Sequence, residues 1–599
     1  MPQTLDRTDS PFRLGPALPN PLAQGALALA EKALGLEELD HLYPRFQSLC
    51  GQPWDAALEV LQVGVDLRGN LELPAEGPVL VVANHPLGGL EGVALLKLLK
   101  GKRPDTLLVA SQLLRVPELQ PHLVGLDLFG PRGRHLPART LRAGLRQALR
   151  HLREGGCLAC FPAGETSNLD LPWNPWVVRL AQRAKAPILP LWFAGKGSNP
   201  AASQAARLLH HTLREMLVAK KVLRRQGSTL RVEAGGLIQA KRLAALRPDQ
   251  AIALVRSHTA LLADRVEPFD RPGASGGADP ARSATAHARP QAPLAAPQDP
   301  AALAAEIAAL PPEQRLATGA GLEVWIARAP QVPAMLLELG LERERAFRAV
   351  GEGTGKDRDL DRFDEWYLHL LLWDPGRSRL AGGYRMGPTD EILAQRGKAG
   401  LYTTTLFHMS SGLLRQIDPA LEMGRSFLRD GYQGTHGPLM LLWKGIGRWL
   451  LLHPRYRRLF GAVSISDAYR PISRALMARW CSRHLRLAGA NPLRVMPRRP
   501  FFARLEGDVR GLPDQLSDFE ALDEAVTLLE GGKGVPVLFK HYAKLGGRFA
   551  GFNVDPGFGD ALDGLVVVDL AQTDGRLLGM YMGREEARRF QARHRGDDA

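Results

Sequence analysis

Between positions 266 and 300 the chain reads VEPFDRPGASGGADPARSATAHARPQAPLAAPQDP, a run of Pro, Ala, Gly and Ser with almost no large apolar side chain. Such a segment buries too little surface to offset its ordering entropy, so it reads as a flexible linker. It cuts the 599 residues into two nearly equal halves. The halves share no repeat, which excludes a duplication and allows two different activities. The expected organisation is a helical segment over 1–59, an α/β domain over 60–265, the linker over 266–300 and a second α/β domain over 301–599.

Hydrophobic residues make up 45% of the chain and charged residues 23%, enough for each half to bury a core. The formal net charge of +15 calls for an anionic partner: a membrane surface, an acidic carrier protein or a nucleic acid. The chain has no zinc module, no basic tail and no motif that interleaves basic and aromatic residues, so no nucleic-acid partner is expected. Four scattered cysteines make no disulfide framework and point to a reducing, cytoplasmic compartment. The N-terminus shows no basic region followed by an apolar stretch. The most apolar stretch, Leu439 to Leu452, is interrupted by Lys444 and Arg448 and is shorter than the ~20 residues a membrane span needs. Contact with the inner face of the cell membrane is therefore expected to be peripheral.

In the first half, residues 20–60 read as helical. After them PVLVVANHP (78–86), TLLVA (106–110), CLACFPAG (157–164) and PILPLWFAG (187–195) are short apolar runs closed by Pro, Gly or Asn, as buried strands are. Helical stretches separate them, which predicts an α/β layered domain whose loops at the strand ends carry the chemistry. ANHPLGGLEG brings His85 and Glu91 into one Gly-rich turn, where a carboxylate can orient an imidazole that takes a proton from an attacking hydroxyl. FPAGETSN offers Glu165, Ser167 and backbone N–H groups at a second strand end, suited to a phosphate or glycerol-like headgroup. Cys157 and Cys160 lie within an expected buried strand and no second pair with zinc-like spacing exists, so no metal is predicted.

Taken together, these residues resemble the glycerolipid acyltransferases of the lysophosphatidate acyltransferase family, especially the haemolysin-like branch, over roughly residues 60–260. The resemblance implies that His85 is the catalytic base and Glu91 its orienting acid, with Asn84 beside them. It implies acceptor binding by Phe161, Pro162, Gly164, Glu165 and Ser167, and a strand block carrying Pro187 and Pro190. The family's acid is usually Asp and one residue nearer, and the extra methylene of Glu91 shifts the geometry. Arg132 and Arg134, between the blocks, read as a solvated basic loop that is able to meet an anionic headgroup.

In the second half AALAAEIAALPPEQRL reads as helical and VWIARA, LHLLLWD, RLAGGYRM and TTTLF as strands. Helices are expected from Pro438 to Leu452 and over ISRALMARWCSRHL, with the strand GAVSIS (461–466) between them. LEMGRSFL by itself reads as an ordinary sheet edge, and VPVLFKHYAKL, which holds Lys540, His541 and Tyr542, as a core-closing strand. The ordered series Arg343, Phe347, Asp361, Asp364, Arg385, Glu422 and Arg425 resembles acyl-homoserine-lactone synthases and related lipid N-acyltransferases of the acetyltransferase-like fold. That resemblance implies aminolysis of a thioester. Glu422 would act as base, Arg425 would order the acceptor or donor, and Asp361 and Asp364 would offer charge to a cationic amino acid. Lys444, Arg448, Arg455, Arg457 and Arg458 would steer an acidic acyl carrier protein.

An O-acylating half followed by an N-acylating half resembles the bifunctional ornithine-lipid synthases. The order implied is 3-hydroxyacylation of the ornithine α-amine, then O-acylation of the lyso-ornithine lipid. Acyl carrier protein would present the thioester, and no bound cofactor is required. Glycine, glutamine or lysine as the acceptor, or a first half acting on lysophospholipid, are the alternatives.

Overall fold

The computed structural model describes residues 11–12, 32, 35–86, 89–110, 116–126, 138–163, 173–195, 222–266, 291–434, 436–491, 493–505 and 509–595. The chain divides into two compact units, one of residues 1–277 with 506–521 and one of 278–505 with 522–599. Residues 506–521 thus leave the second half and join the first unit. There the helix Leu512–Gln515 lies against the helix Pro248–Val266, and Arg242 Nη2 sits 2.8 Å from Asp518 Oδ1.

The first unit holds strands β1 (Gly64–Arg68), β2 (Val79–Ala83), β3 (Leu107–Ala110), β4 (Leu123–Gly125), β5 (Cys157–Cys160), β6 (Ile188–Phe193) and β7 (Thr229–Ala234) in the order β1-β7-β6-β2-β5-β3-β4. The run β6-β2-β5-β3-β4 is parallel, and β7 is antiparallel to β6. Each of the four runs expected as strands forms one, and β2, β5 and β6 are buried along their whole length. Because β2, β5 and β6 are parallel neighbours, their C-terminal ends open on one edge of the sheet, where the chain must leave for its crossovers. Ahead of the sheet, helices Leu36–Ser48 and Pro53–Val60 account for the described part of the N-terminal helical segment.

The second unit has an eight-stranded sheet ordered β16-β17-β14-β13-β11-β10-β9-β8. Its strands are β8 (Arg315–Gly319), β9 (Leu322–Arg328), β10 (Leu368–Asp374), β11 (Arg379–Pro388), β13 (Ala420–Leu428), β14 (Arg458–Ile465), β16 (Arg548–Asp555) and β17 (Ala561–Asp569). β12 (Phe407–Met409) and β15 (Val495–Pro497) pair separately. Helices Pro300–Ala308 and Pro333–Arg348 cover part of the sheet through Leu303, Ile307, Met335, Leu339, Trp373 and Phe427. Both helices expected beyond Pro438 form, as His436–Leu452 and Pro471–His484. Among the described residues no helix is long and apolar enough to cross a membrane.

Four expectations need correction. LEMGRSFL is no sheet edge: it is β13, paired on both sides. TTTLF begins as a short 3-10 turn, Tyr402–Thr405, because Thr404 and Thr405 donate their hydroxyls to carbonyls three residues back and compete with the strand ladder. VPVLFKHYAKL is the helix Val537–Lys544, which buries Phe539 and Tyr542 at helical spacing. The linker ends before residue 300, since Ala292 N donates to Gly355 O at 2.9 Å, Ala295 N to Asp357 O at 3.2 Å and Gln298 N to Glu338 Oε2 at 2.9 Å. These backbone bonds order a stretch whose side chains bury little. Residues 267–290 lie outside the described set.

One break in the second sheet positions everything that follows. β13 and β14 run parallel and pair only at Ala420–Arg458, Leu421–Leu459 and Glu422–Phe460, although β13 runs on to Leu428 and β14 to Ile465. Gly461 stands at this fork, where an added Cβ would lie 2.1 Å from Met423 O. Gly461→Ala is expected to cost about 1–3 kcal/mol by overpacking. A lowered melting temperature in scanning calorimetry checks this, and an unchanged one would show that β13 yields freely.

Candidate active sites

The first site stands on the shared edge of β2, β5 and β6. Asn84, the residue after β2, is 1% exposed and spends both ends of its amide on β6: Nδ2 donates to Phe193 O at 2.9 Å, and Oδ1 accepts from Phe193 N at 2.7 Å. It therefore fixes the exit of β2 immediately before His85. His85 follows, its ring stacked on Phe161 from the end of β5 with centroids 4.3 Å apart. Gly89, at φ 111°, takes a backbone conformation closed to other residues and starts the helix Leu90–Lys100. That start places Glu91 in the first helical turn, fully buried, with Oε1 3.4 Å from His85 Nδ1. A carboxylate is at home near a helix N-terminus.

The imidazole is thus held on one side by Glu91 and on its face by Phe161. The two residues that the sequence places in one Gly-rich turn thus meet, with Glu91 reaching the ring through its longer side chain. Pro162 is buried, and its carbonyl accepts from Asn174 N at 3.0 Å. Pro190 lies within β6 opposite Val82. Gly164, Glu165, Ser167, Arg132 and Arg134 lie outside the described residues.

The second site gathers at the fork. Arg343, fully buried, donates Nη1 to Asp364 Oδ1 at 2.7 Å. Arg385 Nη1 reaches Asp361 Oδ1 at 2.6 Å and Asp364 Oδ1 at 3.3 Å. Arg425, at φ 51° on β13, sets Nε 2.9 Å from Asp359 Oδ2 and Nη2 3.6 Å from Asp361 Oδ2, and donates Nη1 to Tyr402 Oη at 3.1 Å. Its guanidinium also lies 5.0 Å from the ring centre of Phe558, against which Phe347 packs edge-on at 5.0 Å. Burial alone would raise the Asp364 carboxyl, but the neighbouring Arg343 and Arg385 guanidiniums hold it well below the usual carboxylate range. Burial, reinforced by Arg343, pulls His369 down to about 4 and keeps it neutral, with Nε2–H donated to Asp364 O at 2.8 Å.

The structure therefore brings Arg343, Asp361, Asp364, Arg385 and Arg425 into one network, in which Asp361 and Asp364 face arginines instead of standing open to a cationic amino acid, and it adds two members the sequence reading missed. Asp359 had a signal, since DLDRFD repeats acids at close spacing. Tyr402 had none, because its role depends on a turn that forms only in the fold.

Glu422 is a different matter. It is 2% exposed, and Tyr367 Oη and Tyr402 N donate to Oε2 while Thr403 N donates to Oε1 at 2.6 Å. Burial pushes its carboxyl up, while the donors from Tyr367 and Thr403 pull it back in part. With both oxygens engaged by protein donors, Glu422 holds the Tyr402–Thr403 turn against β13, where the sequence reading expected a carboxylate open to an amine. Three of the five basic residues expected to steer a carrier are paired: Arg455 with Asp390 at 2.8 Å, and Arg457 and Arg458 with Asp569 at 3.2 and 3.5 Å. Lys444 and Arg448 remain exposed, one turn apart on the helix His436–Leu452.

The acetyltransferase (GNAT) domain family matches residues 343–444, the stretch that supplies Arg343 through Arg425. The chain is 30% identical over 257 residues to a glycine N(alpha)-acyltransferase of Phocaeicola vulgatus, covering 40% of this chain and 77% of that protein. It is 30% identical over 154 residues to a lyso-glycine lipid O-acyltransferase of Bacteroides thetaiotaomicron, covering 24% of this chain and about half, 53%, of that protein. The crystal structure of a 1-acyl-sn-glycerophosphate acyltransferase from Thermotoga maritima covers 41% of this chain and 95% of its own at 13% identity and a TM-score of 0.25, too low to carry a fold argument.

Glu422→Gln sets an NH2 group among three donors. Loss of these charge-assisted bonds is expected to cost about 1.5–3 kcal/mol. A melting temperature lowered by several degrees checks this, and wild-type melting would return Glu422 to the list of free carboxylates.

Proposed function

From the premise that the chain is an acyltransferase belonging to the family of the glycine N(alpha)-acyltransferases, we propose that it makes an amino-acid lipid by two successive acyl transfers. The second unit moves a 3-hydroxyacyl group from acyl carrier protein to the α-amine of ornithine. The first unit then acylates the 3-hydroxyl of that lyso-lipid. The observation that carries this reading is that one chain resembles both an amino-acid N-acyltransferase and an O-acyltransferase of the matching lyso-lipid. The names of these relatives favour a second reading in which the acceptor is glycine.

In the first site, His85 Nδ1 faces Glu91 at 3.4 Å, which leaves Nε2 to take the proton of the acceptor hydroxyl. The oxygen attacks the thioester carbon, the C–O bond forms, the C–S bond breaks, and the imidazolium returns the proton to the departing thiolate. Glu91 steadies the charged ring between these moments, and Phe161 fixes its plane. In the second site the α-ammonium gives a proton to solvent, the amine attacks the thioester carbon, the C–N bond forms as the C–S bond breaks, and the second proton shed by the nitrogen goes to the departing thiolate. Beyond Glu422 and Phe460 the facing edges of β13 and β14 are not paired with each other, so an extended donor arm carrying amides can bond along them as an added strand would. The carrier is steered by Lys444 and Arg448, and the net charge of +15 favours peripheral contact with the anionic inner face of the cell membrane.

Lipid analysis of a host without aminolipids tests this. The full chain is expected to yield a diacylated aminolipid, and His85→Ala to lower it at least 100-fold while a mono-acylated lyso-lipid accumulates. Changed phospholipid acyl chains without any aminolipid would contradict the reading.

A further inference from the structure

The arginines and aspartates of the second site balance: Arg343, Arg385 and Arg425 face Asp359, Asp361 and Asp364. A second group of carboxylates beside Arg425 does not. Across three strands, Ser464 of β14 stands opposite Asp563 of β17, and Asp563 stands opposite Asn553 of β16. Asp555, two residues beyond Asn553, projects from the same face of the sheet. Glu352, in the loop after the helix Pro333–Arg348, accepts from Ser464 Oγ at 3.0 Å and so joins this row. Asp555 and Glu352 are the negative charges that act on Asp563, and Arg425 is the positive one. Arg425 is already shared between Asp359 and Asp361, and Lys533, which acts on Glu352, sits 3.8 Å over the ring of Tyr469.

The member that matters most is Asp563. It is 5% exposed, and its carboxylate makes no hydrogen bond or ion pair with any described residue. Asp555, in contrast, accepts from Gly557 N at 2.8 Å. A buried carboxylate without a partner costs stability, and such groups persist where a ligand supplies what the protein withholds. Burial, then the like charges of Asp555 and Glu352, push Asp563 well above the usual carboxylate range, and an arriving cation would restore its charge. Among the described residues no three His, Cys, Asp or Glu side chains are placed to hold one metal ion, so this row does not converge as a metal cage does. Separated carboxylates in excess of nearby cations suit an organic molecule with more than one ammonium group.

We infer that Glu352, Asp555 and Asp563 form the subsite for the ammonium groups of a diamino acid, which sets the second unit's acceptor preference against glycine. This rests on the N-acylation reading above. The row lies beside the fork: Phe558, three residues after Asp555, packs on Arg425, so an amino acid held here has its α-amine next to the edges of β13 and β14.

The test uses the purified full chain, 3-hydroxyacyl-acyl carrier protein, and L-ornithine, L-lysine or glycine as acceptor, with calorimetric titration of L-ornithine run alongside. Ornithine and lysine are expected to exceed glycine at least tenfold in kcat/KM. Asp563→Asn and Asp555→Asn are each expected to cut that ratio about tenfold, mainly through KM, and to weaken ornithine binding in parallel. Asp563→Asn should melt no lower than wild type, since it removes a buried carboxyl without a partner and puts a group of the same shape in its place, and this separates a binding role from a structural one. An unchanged ratio in both variants, or a wild type that acylates glycine while ignoring and not binding ornithine, would overturn the subsite and leave the N-acylation reading standing. Ornithine binding lost in Asp563→Asn, with no acyl transfer to any amino acid in wild type, would keep the subsite and overturn that reading.

Discussion

The second unit is organised around charge that has been taken out of water. Three guanidiniums and three carboxylates lie side by side at the point where β13 and β14 part. Desolvating such a set is tolerable only because every charge finds its opposite close at hand, and removing one partner from a buried pair costs about 3–5 kcal/mol. The network therefore ties the helix Pro333–Arg348, the segment before β10, and strands β11 and β13 into one geometry. Tyr402 and Tyr367 extend it to Glu422, whose buried carboxyl keeps the 402–403 turn in place. With these elements fixed, the two parallel strands can separate without the sheet closing the gap.

The first unit reaches its site by a different route, in which topology does most of the work. Parallel order places the ends of β2, β5 and β6 together, and the amide of Asn84 bolts β2 to β6. His85 is then set by what surrounds it rather than by its own flexibility: Glu91 at a helix start and Phe161 against its face. Gly89, at φ 111°, starts the helix that carries Glu91 toward His85.

Much of this was legible in the sequence, for identifiable reasons. Continuous apolar runs closed by Pro, Gly or Asn marked the buried parallel strands, because both of their faces are covered. The motif around His85 carried its own turn chemistry, so its contact with Glu91 could be anticipated. What escaped was decided by tertiary contacts. TTTLF has strand-forming residues, yet its hydroxyls and the buried Glu422 draw it into a turn. Glu422 looked like a free base because sequence shows a carboxylate and not the three donors that enclose it. The excursion of 506–521 into the first unit leaves no mark in composition, since it depends on Arg242 meeting Asp518 across 276 positions.

The proposed order puts the amide before the ester, each made at its own site on one chain. The most direct measurement is a time course with the purified full chain, ornithine and 3-hydroxyacyl-acyl carrier protein, the products separated by mass. The mono-acylated amide is expected to appear first without a lag, and the diacylated lipid to follow with a lag and draw it down. Diacylated lipid rising without a lag, or supplied mono-acylated amide that the chain leaves untouched, would contradict it.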